Sequence, residues 1–200
     1  MPVVLVVERK MTDTKLQIER ILSGDQTAFR SLVEQYQRLV SHIVFRMIAA
    51  KEDREDICQD VFMRIYQNLS DFRSESKLST WIASIAYNAC LNHLEKRKLV
   101  PLEELNSPEQ SLESFLERHK RPDEITEEKE VGALLESEIN RMPATFRTIL
   151  TLYHLDDMSY TQISEVMRLP EGTVKSYLFR ARKLLKERLK LKYQPEDLCH

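Results

Sequence analysis

Cationic, hydroxyl and aromatic side chains are concentrated on a stretch with the periodicity of an amphipathic helix, from about Glu171 to Lys192. Val174, Leu178 and Ala181 fall on its buried side. The remaining face carries groups that can bind phosphates, guanine edges and thymine methyl groups: Lys175, Ser176, Tyr177, Phe179, Arg180, Lys183 and Lys186. This face indicates contact with duplex DNA, with a solvated basic helix or a helix packed on a partner as the alternatives.

A shorter helix is predicted immediately before this one. Ser159 and Gln162 fit a capping box, in which each side chain satisfies a free backbone amide at the start of the helix. The segment 168–172 then provides a turn, and Pro170 suits the beginning of the following helix. Two helices joined in this way are typical of a helix-turn-helix, whose second helix enters the major groove.

Helical periodicity also fills the N-terminal half of the chain, where it predicts four helices. Gly24 and Asp25 fit a C-cap and an N-cap between the first two helices. We expect the third helix from about Arg54 to Leu69 and the fourth from about Leu78 to Lys98. A polar loop, 71–77, separates them.

The predicted fold class is all-α, with two small helical domains joined by an acidic linker. Three prolines and many acidic residues occur in the linker segment, which predicts an extended chain. The predicted divisions are a disordered extension (1–13), a first module that forms a helical bundle (14–98), the linker (99–128), a second, four-helix module with the helix-turn-helix (129–193), and a tail (194–200).

Composition limits the classes of function. Only three glycines occur, and no strand-like alternation is found, so a β-rich fold is disfavoured. The formal net charge is −2, so any nucleic-acid role must rest on local clusters of charge. Three scattered cysteines argue against a disulfide framework and fit a reducing cytoplasm. The apolar run 2–7 is too short to span a bilayer and lacks the features of a signal peptide.

Catalysis and metal binding are not expected. Glu55, Asp56 and Asp60 could contribute carboxylates to a metal site, but no histidine completes the set, and a polar helix surface explains them equally well. The five histidines show no ligand or nucleophile spacing, and no glycine-rich phosphate loop is present. We therefore expect no enzyme activity, no cofactor and no metal.

Several spaced strings, in a consistent order, resemble the extracytoplasmic-function (ECF) class of bacterial sigma factors in the sigma-70 family. The strings are E-D-I-C-Q-D-V-F, F-R-S-E-S-K-L-S-T-W-I-A-S-I-A-Y-N-A-C-L-N-H-L-E-K-R-K, M-P-A-T-F-R-T-I-L-T-L-Y and S-Y-T-Q-I-S-E-V-M-R-L-P-E-G-T-V-K-S-Y-L-F-R-A-R. The resemblance covers about residues 20–98 and 129–190. It implies a subunit that binds RNA polymerase core, directs it to a promoter and helps open the duplex.

The resemblance also implies a role for particular residues. Contact with polymerase core is implied for Asp56, Gln59, Asp60 and Phe62. Recognition of the minus-ten promoter element is implied for Phe72, Arg73, Lys77, Trp81 and Asn88, and the cationic cluster Lys96, Arg97 and Lys98 suits phosphates there. Trp81 is equally well explained as a core aromatic. Recognition of the minus-thirty-five element is implied for Lys175, Ser176, Phe179, Arg180 and Lys183.

Two departures from the family pattern bear on specificity. Tyr177 occupies a position where many members carry a cation, and Ser74 and Ser76 replace a glycine that is common before the base-capturing loop. The resemblance further implies a cytoplasmic protein with promoter DNA, polymerase core and an anti-sigma factor as partners. The alternative is a stand-alone helix-turn-helix regulator that does not bind polymerase core.

Overall fold

A computed structural model describes residues 3–96 and 130–192, with side chains from residue 13 to 96 and from 134 to 191. The predicted linker, the predicted tail, Arg97 and Lys98 lie outside the described residues. Those described form eight α-helices and no strand, which confirms the all-α class. Within the same ranges, no helix is both long and apolar enough to cross a membrane.

The first module contains four helices, as predicted. Asp25 caps the second of them by accepting hydrogen bonds from the backbone amides of Thr27 and Ala28, at 2.9 and 3.1 Å. Gly24 precedes it with φ +92°, a conformation that glycine adopts at low cost. The helices are α1 (Val3–Leu22), α2 (Gln26–Met47), α3 (Lys51–Asn68) and α4 (Leu78–Lys96), with a 3₁₀ turn at Leu69–Asp71.

The structure corrects the predicted start of this module. Helix α1 begins at Val3, so the expectation of a disordered extension over residues 1–13 is wrong from Val3 onward. No glycine or proline lies between Val3 and Leu22, so no residue type in this stretch breaks the backbone hydrogen bonding. Helix α3 likewise begins at Lys51, slightly before the predicted Arg54.

The second module has the predicted four helices, and its helix-turn-helix is confirmed. The Ser159 hydroxyl accepts from the Gln162 amide at 3.2 Å, and the Gln162 side chain accepts from the Ser159 amide at 3.0 Å. Arg168 ends the third helix in the left-handed region, with φ +54°. The helices are α5 (Glu130–Asn140), α6 (Ala144–His154), α7 (Tyr160–Met167) and α8 (Glu171–Lys192).

The two modules pack against each other. Helix α2 contacts α6, and α4 contacts α7. The buried apolar side chains of both modules consequently belong to one continuous core. Polar contacts, among them those of Arg46 and Arg147, also cross this interface.

A buried ion pair anchors α8 to α5. The Arg188 Nε lies 2.9 Å from the Glu138 carboxylate, and the two side chains are 7% and 1% exposed. Arg141 approaches the same carboxylate at 3.5 Å from the solvent side. Because a buried charge needs a partner, this pair fixes the C-terminal half of α8 against α5.

We predict that Glu138→Ala lowers the free energy of unfolding by about 3–5 kcal/mol, because it leaves the Arg188 guanidinium buried without its carboxylate. Replacing both residues by apolar ones, Glu138→Leu with Arg188→Met, should restore most of the loss. Urea denaturation followed by circular dichroism measures both changes. Equal stability of the wild type and Glu138→Ala would show that the pair does not anchor α8.

Candidate functional site

The predicted DNA-reading face of α8 comprises Lys175, Ser176, Phe179, Arg180 and Lys183. The structure brings them together on one side of the helix, away from the buried Val174, Leu178 and Ala181. Phe179 is 69% exposed, Lys175 and Lys183 also project into solvent, and Ser176 and Arg180 are half-buried at the edge. Each of the two lysines pairs with an exposed glutamate at 3.9 Å, and such pairs contribute little, so both ammonium groups can exchange these glutamates for phosphates.

Tyr177 does not belong to this face. Sequence analysis placed it among the exposed residues, but it is 8% exposed, and its ring packs edge-to-face on Phe146 with 5.9 Å between centroids. Tyr177 follows Val174 by three positions and therefore shares the core side of the helix. The cation that many family members carry at this position is thus replaced by a core aromatic.

Arg182 is a candidate that sequence analysis missed. Its guanidinium lies 4.9 Å from the centroid of Tyr153, whose ring stacks on Tyr160 at 5.3 Å, and Lys175 Nζ lies 5.5 Å from the centroid of Tyr160. Cations over aromatic faces are held by the ring quadrupole. Arg182 follows Lys175 by seven positions, a spacing that places both on the same side of a helix and could have identified it.

The imidazole of His154 binds the Arg182 guanidinium. Its Nε2 lies 3.2 Å from Arg182 Nε and accepts the hydrogen bond. Burial, and then the Arg182 charge, lower the pKa of His154. Both effects favour the neutral imidazole that can act as this acceptor. The arrangement orients the Arg182 guanidinium on the surface of the second module.

The predicted minus-ten surface comprises Phe72, Arg73, Lys77, Trp81 and Asn88. Phe72 and Trp81 are half-buried against the core, with 5.5 Å between their centroids at 58°, while Arg73 and Lys77 are exposed. The Trp81 ring is therefore partly a core aromatic and partly available at the surface, so each of its two interpretations has a structural basis. Lys96 is also exposed, at the end of α4.

The Asn88 side chain and the Ser74 backbone each have a defined conformation on this surface. Asn88 lies two turns after Trp81 on the same face of α4, and its amide donates to the Ser84 carbonyl at 2.7 Å. Ser74 has φ +57°, so this loop adopts the left-handed conformation without a glycine, the residue that favours it. The backbone of the loop is thus the one a glycine would take.

The predicted core-binding face of α3 carries Asp56, Gln59 and Asp60, and Met63 lies on the same side. All four are exposed, whereas Ile57, Val61 and Ile65 are buried on the opposite side. Phe62, predicted to contact polymerase, is half-buried against the core. Met63 is 56% exposed and is a further candidate for this face, which its spacing of seven from Asp56 could have indicated.

No cluster of three or more potential metal ligands occurs in residues 3–96 and 130–192. The two described cysteines are partly or fully buried, and burial raises the pKa of both thiols. Each is therefore mostly protonated and poorly nucleophilic at neutral pH.

Comparison with known proteins identifies both modules. The family model for sigma-70 region 2 matches residues 32–100, and that for sigma-70 region 4 matches residues 133–185. RNA polymerase sigma-H factor of Pseudomonas aeruginosa is 33% identical over 177 residues, which cover 86% of this chain and 91% of the relative. The chain belongs to the ECF class of RNA polymerase sigma factors. The ECF sigma-E factor of Haemophilus influenzae is 32% identical over 184 residues, which cover 90% of this sigma factor and 96% of the relative.

Solved structures share the fold of this sigma factor. The structure of CnrH in complex with the cytosolic domain of CnrY has a TM-score of 0.61 at 20% identity and covers 89% of this chain and 97% of CnrH. The sigma factor RpoE in complex with the anti-sigma factor NepR from Bartonella quintana also has a TM-score of 0.61 at 20% identity, with 82% and 98% covered. As a sigma factor, the chain binds RNA polymerase core and directs promoter recognition and DNA melting. The alternative of a stand-alone regulator is not favoured.

We predict that Met63→Ala weakens binding to polymerase core about tenfold, the equivalent of about 1.4 kcal/mol, because an exposed thioether on the core-binding face becomes buried on docking. Titrating fluorescently labelled sigma factor with purified core measures this affinity. Arg64→Ala is the matched control, because Arg64 is exposed on the flank of the same helix. Equal affinities for Met63→Ala and Arg64→Ala would remove Met63 from the interface.

Proposed function

We propose that this sigma factor uses separate surfaces for its three tasks. The core-binding face of α3 docks on polymerase, the minus-ten surface captures a base during opening, and the DNA-reading face of α8 reads the minus-thirty-five element. The observation that carries the proposal is the exposed row Lys175, Phe179 and Lys183 on the second helix of a capped helix-turn-helix. In this motif the second helix enters the major groove.

In the second module, different side chains would contact the phosphates and the bases of DNA. Lys175, Lys183 and Arg182 present charges at the surface of α8, where they would meet the sugar-phosphate backbone and fix the register. Arg180 has the donor fork that pairs with the O6 and N7 atoms of guanine. The exposed Phe179 ring suits contact with a thymine methyl group.

In the first module, capture of a flipped base needs an aromatic wall and amide groups, because unstacking costs a few kcal/mol that the new contacts must offset. Phe72 and Trp81 would provide the wall, with Asn88 further along the same face of α4. The Asn88 amide must leave the Ser84 carbonyl before it can donate to a base. Arg73, Lys77 and Lys96, together with Arg97 and Lys98 from the sequence, would bind the adjacent phosphates.

The cellular location and the partners of this protein are inferred from its family. We expect a cytoplasmic transcription initiation factor without enzymatic activity of its own. Both structural neighbours are complexes, one with the cytosolic domain of CnrY and one with an anti-sigma factor. By analogy, an anti-sigma factor is a further expected partner of this chain.

We predict that Arg180→Ala in the reconstituted holoenzyme costs about 1–3 kcal/mol at one base position of the minus-thirty-five element and little at other positions, because a base-edge contact is lost. Run-off transcription from promoters with single substitutions in this element measures the pattern. Lys183→Ala is the matched comparison and should weaken all promoters uniformly, as expected of a phosphate contact. A uniform loss for Arg180→Ala would make Arg180 a phosphate contact as well.

A further inference from the structure

A row of aromatic and cationic side chains connects α8 with the two helices before it. Lys175 Nζ lies 5.5 Å from the centroid of Tyr160, the first residue of α7. The Tyr160 ring stacks on Tyr153 of α6, with 5.3 Å between centroids and 16° between planes. The Arg182 guanidinium carbon lies 4.9 Å from the Tyr153 centroid. Two cations of α8 are thus joined through two stacked rings.

The Arg182 end of this row is held from two directions. Arg182 Nε donates to His154 Nε2 at 3.2 Å, and Arg182 Nη2 lies 3.1 Å from the same nitrogen. The His154 ring in turn packs edge-to-face on Tyr153, with 4.9 Å between centroids. Because a guanidinium offers only donors, His154 Nε2 must be the acceptor in this contact. His154 therefore fixes one edge of the guanidinium, while Tyr153 supports its face.

The contact with His154 determines which part of Arg182 can meet a partner. It occupies the edge formed by Nε and Nη2, although the side chain as a whole is exposed. The edge formed by Nη1 and Nη2 has the geometry that pairs with two oxygens of a phosphate. An arginine side chain loses rotamer freedom on binding, so holding it beforehand lowers the cost of such a pair.

The position of Arg182 in the helix-turn-helix indicates the kind of phosphate. Arg182 follows Phe179 by three positions and Lys175 by seven, so all three lie on the same side of α8. In this motif the first helix crosses the sugar-phosphate backbone, while the second enters the groove. Tyr160 begins that first helix, and its ring belongs to the same row as Arg182. Arg182 is consequently placed for the DNA backbone.

We propose that His154 is a positioning residue for DNA recognition, which holds Arg182 on the Tyr153 ring so that its Nη1–Nη2 edge meets one particular phosphate of the minus-thirty-five element. The proposal rests on the assignment of α8 to that element. His154 makes no DNA contact of its own in this arrangement and acts only through Arg182. A phosphate contact from a fixed side chain sets the register of α8 on the duplex.

Neutralising single phosphates in the promoter tests the proposal. The probe is a promoter selected by the reconstituted holoenzyme from randomised fragments, with one methylphosphonate at a time in its minus-thirty-five element. The holoenzymes carry the wild-type chain, Arg182→Ala, His154→Leu or His154→Gln. Leucine removes the acceptor, whereas the side-chain oxygen of glutamine can take the place of Nε2. Thermal unfolding followed by circular dichroism verifies that every chain is folded.

We expect one phosphate whose neutralisation weakens wild-type binding about threefold to tenfold, the range of a hydrogen bond to a charged group, and does not affect Arg182→Ala. His154→Leu should lose the sensitivity at this same phosphate, and His154→Gln should retain it. Lys186→Ala is the matched control, because Lys186 is an exposed cation one turn further along α8. It should keep the wild-type sensitivity at this phosphate.

Three results would overturn the positioning role. His154→Leu with wild-type sensitivity would show that Arg182 finds its phosphate without the imidazole. Loss of the sensitivity in His154→Leu but not in Arg182→Ala would place His154 itself on the phosphate. Equal loss in His154→Leu and His154→Gln would contradict the role of the acceptor.

A double-mutant cycle supplies a second, independent readout. His154→Leu in the Arg182→Ala background should cause no further loss of promoter affinity, because His154 acts through Arg182. Additive losses would overturn the positioning role, since His154 would then affect the module in another way. Failure of the proposed function has a different signature. Binding that depends on no phosphate and no base of the minus-thirty-five element would contradict the assignment of α8 to that element.

Discussion

Two arginines, Arg46 on α2 and Arg147 on α6, bind across the interface between the modules and determine how the two modules meet. Arg46 reaches into the second module, and Arg147 returns to the last carbonyls of α2. Hydrogen bonds to charged groups are stronger than neutral ones, and a buried guanidinium without acceptors would be costly. The continuous apolar core of the two modules is consistent with this arrangement, because α2 and α4 each pack against a helix of the second module.

The proposed core-binding face of α3 and the proposed DNA-reading face of α8 lie outside this interface and have the same pattern. In α3 and α8, buried aliphatic residues fix one side of the helix, and the opposite side presents charged and apolar groups together. Met63 lies beside Asp60, and Phe179 lies beside Lys175. Such mixed faces suit partners that are charged at the rim and apolar at the centre. The minus-ten surface differs, because its two aromatic rings are partly used by the core.

Local features were predictable from the sequence, since a few neighbouring residues determine them. The caps at Asp25 and Ser159 and the buried positions of α8 follow from spacing and side-chain chemistry. Tyr177 was misplaced because an amphipathic tyrosine fits either side of a helix, and its packing on the Phe146 ring depends on tertiary structure. The contacts of Arg46 join residues about ninety positions apart in the chain, and no periodicity signals them. The first residues of helix α1 were not predicted, because residues 1–13 were interpreted as a disordered extension.

The most direct test of this account is run-off transcription by purified polymerase core, with and without the sigma factor, on a library of randomised promoter fragments. The account predicts initiation that depends on the sigma factor and selects two separate sequence elements, one for each module. Selection of only one element would contradict the division of promoter reading between the modules. Absence of initiation by a folded chain that still binds duplex DNA would contradict the sigma function itself.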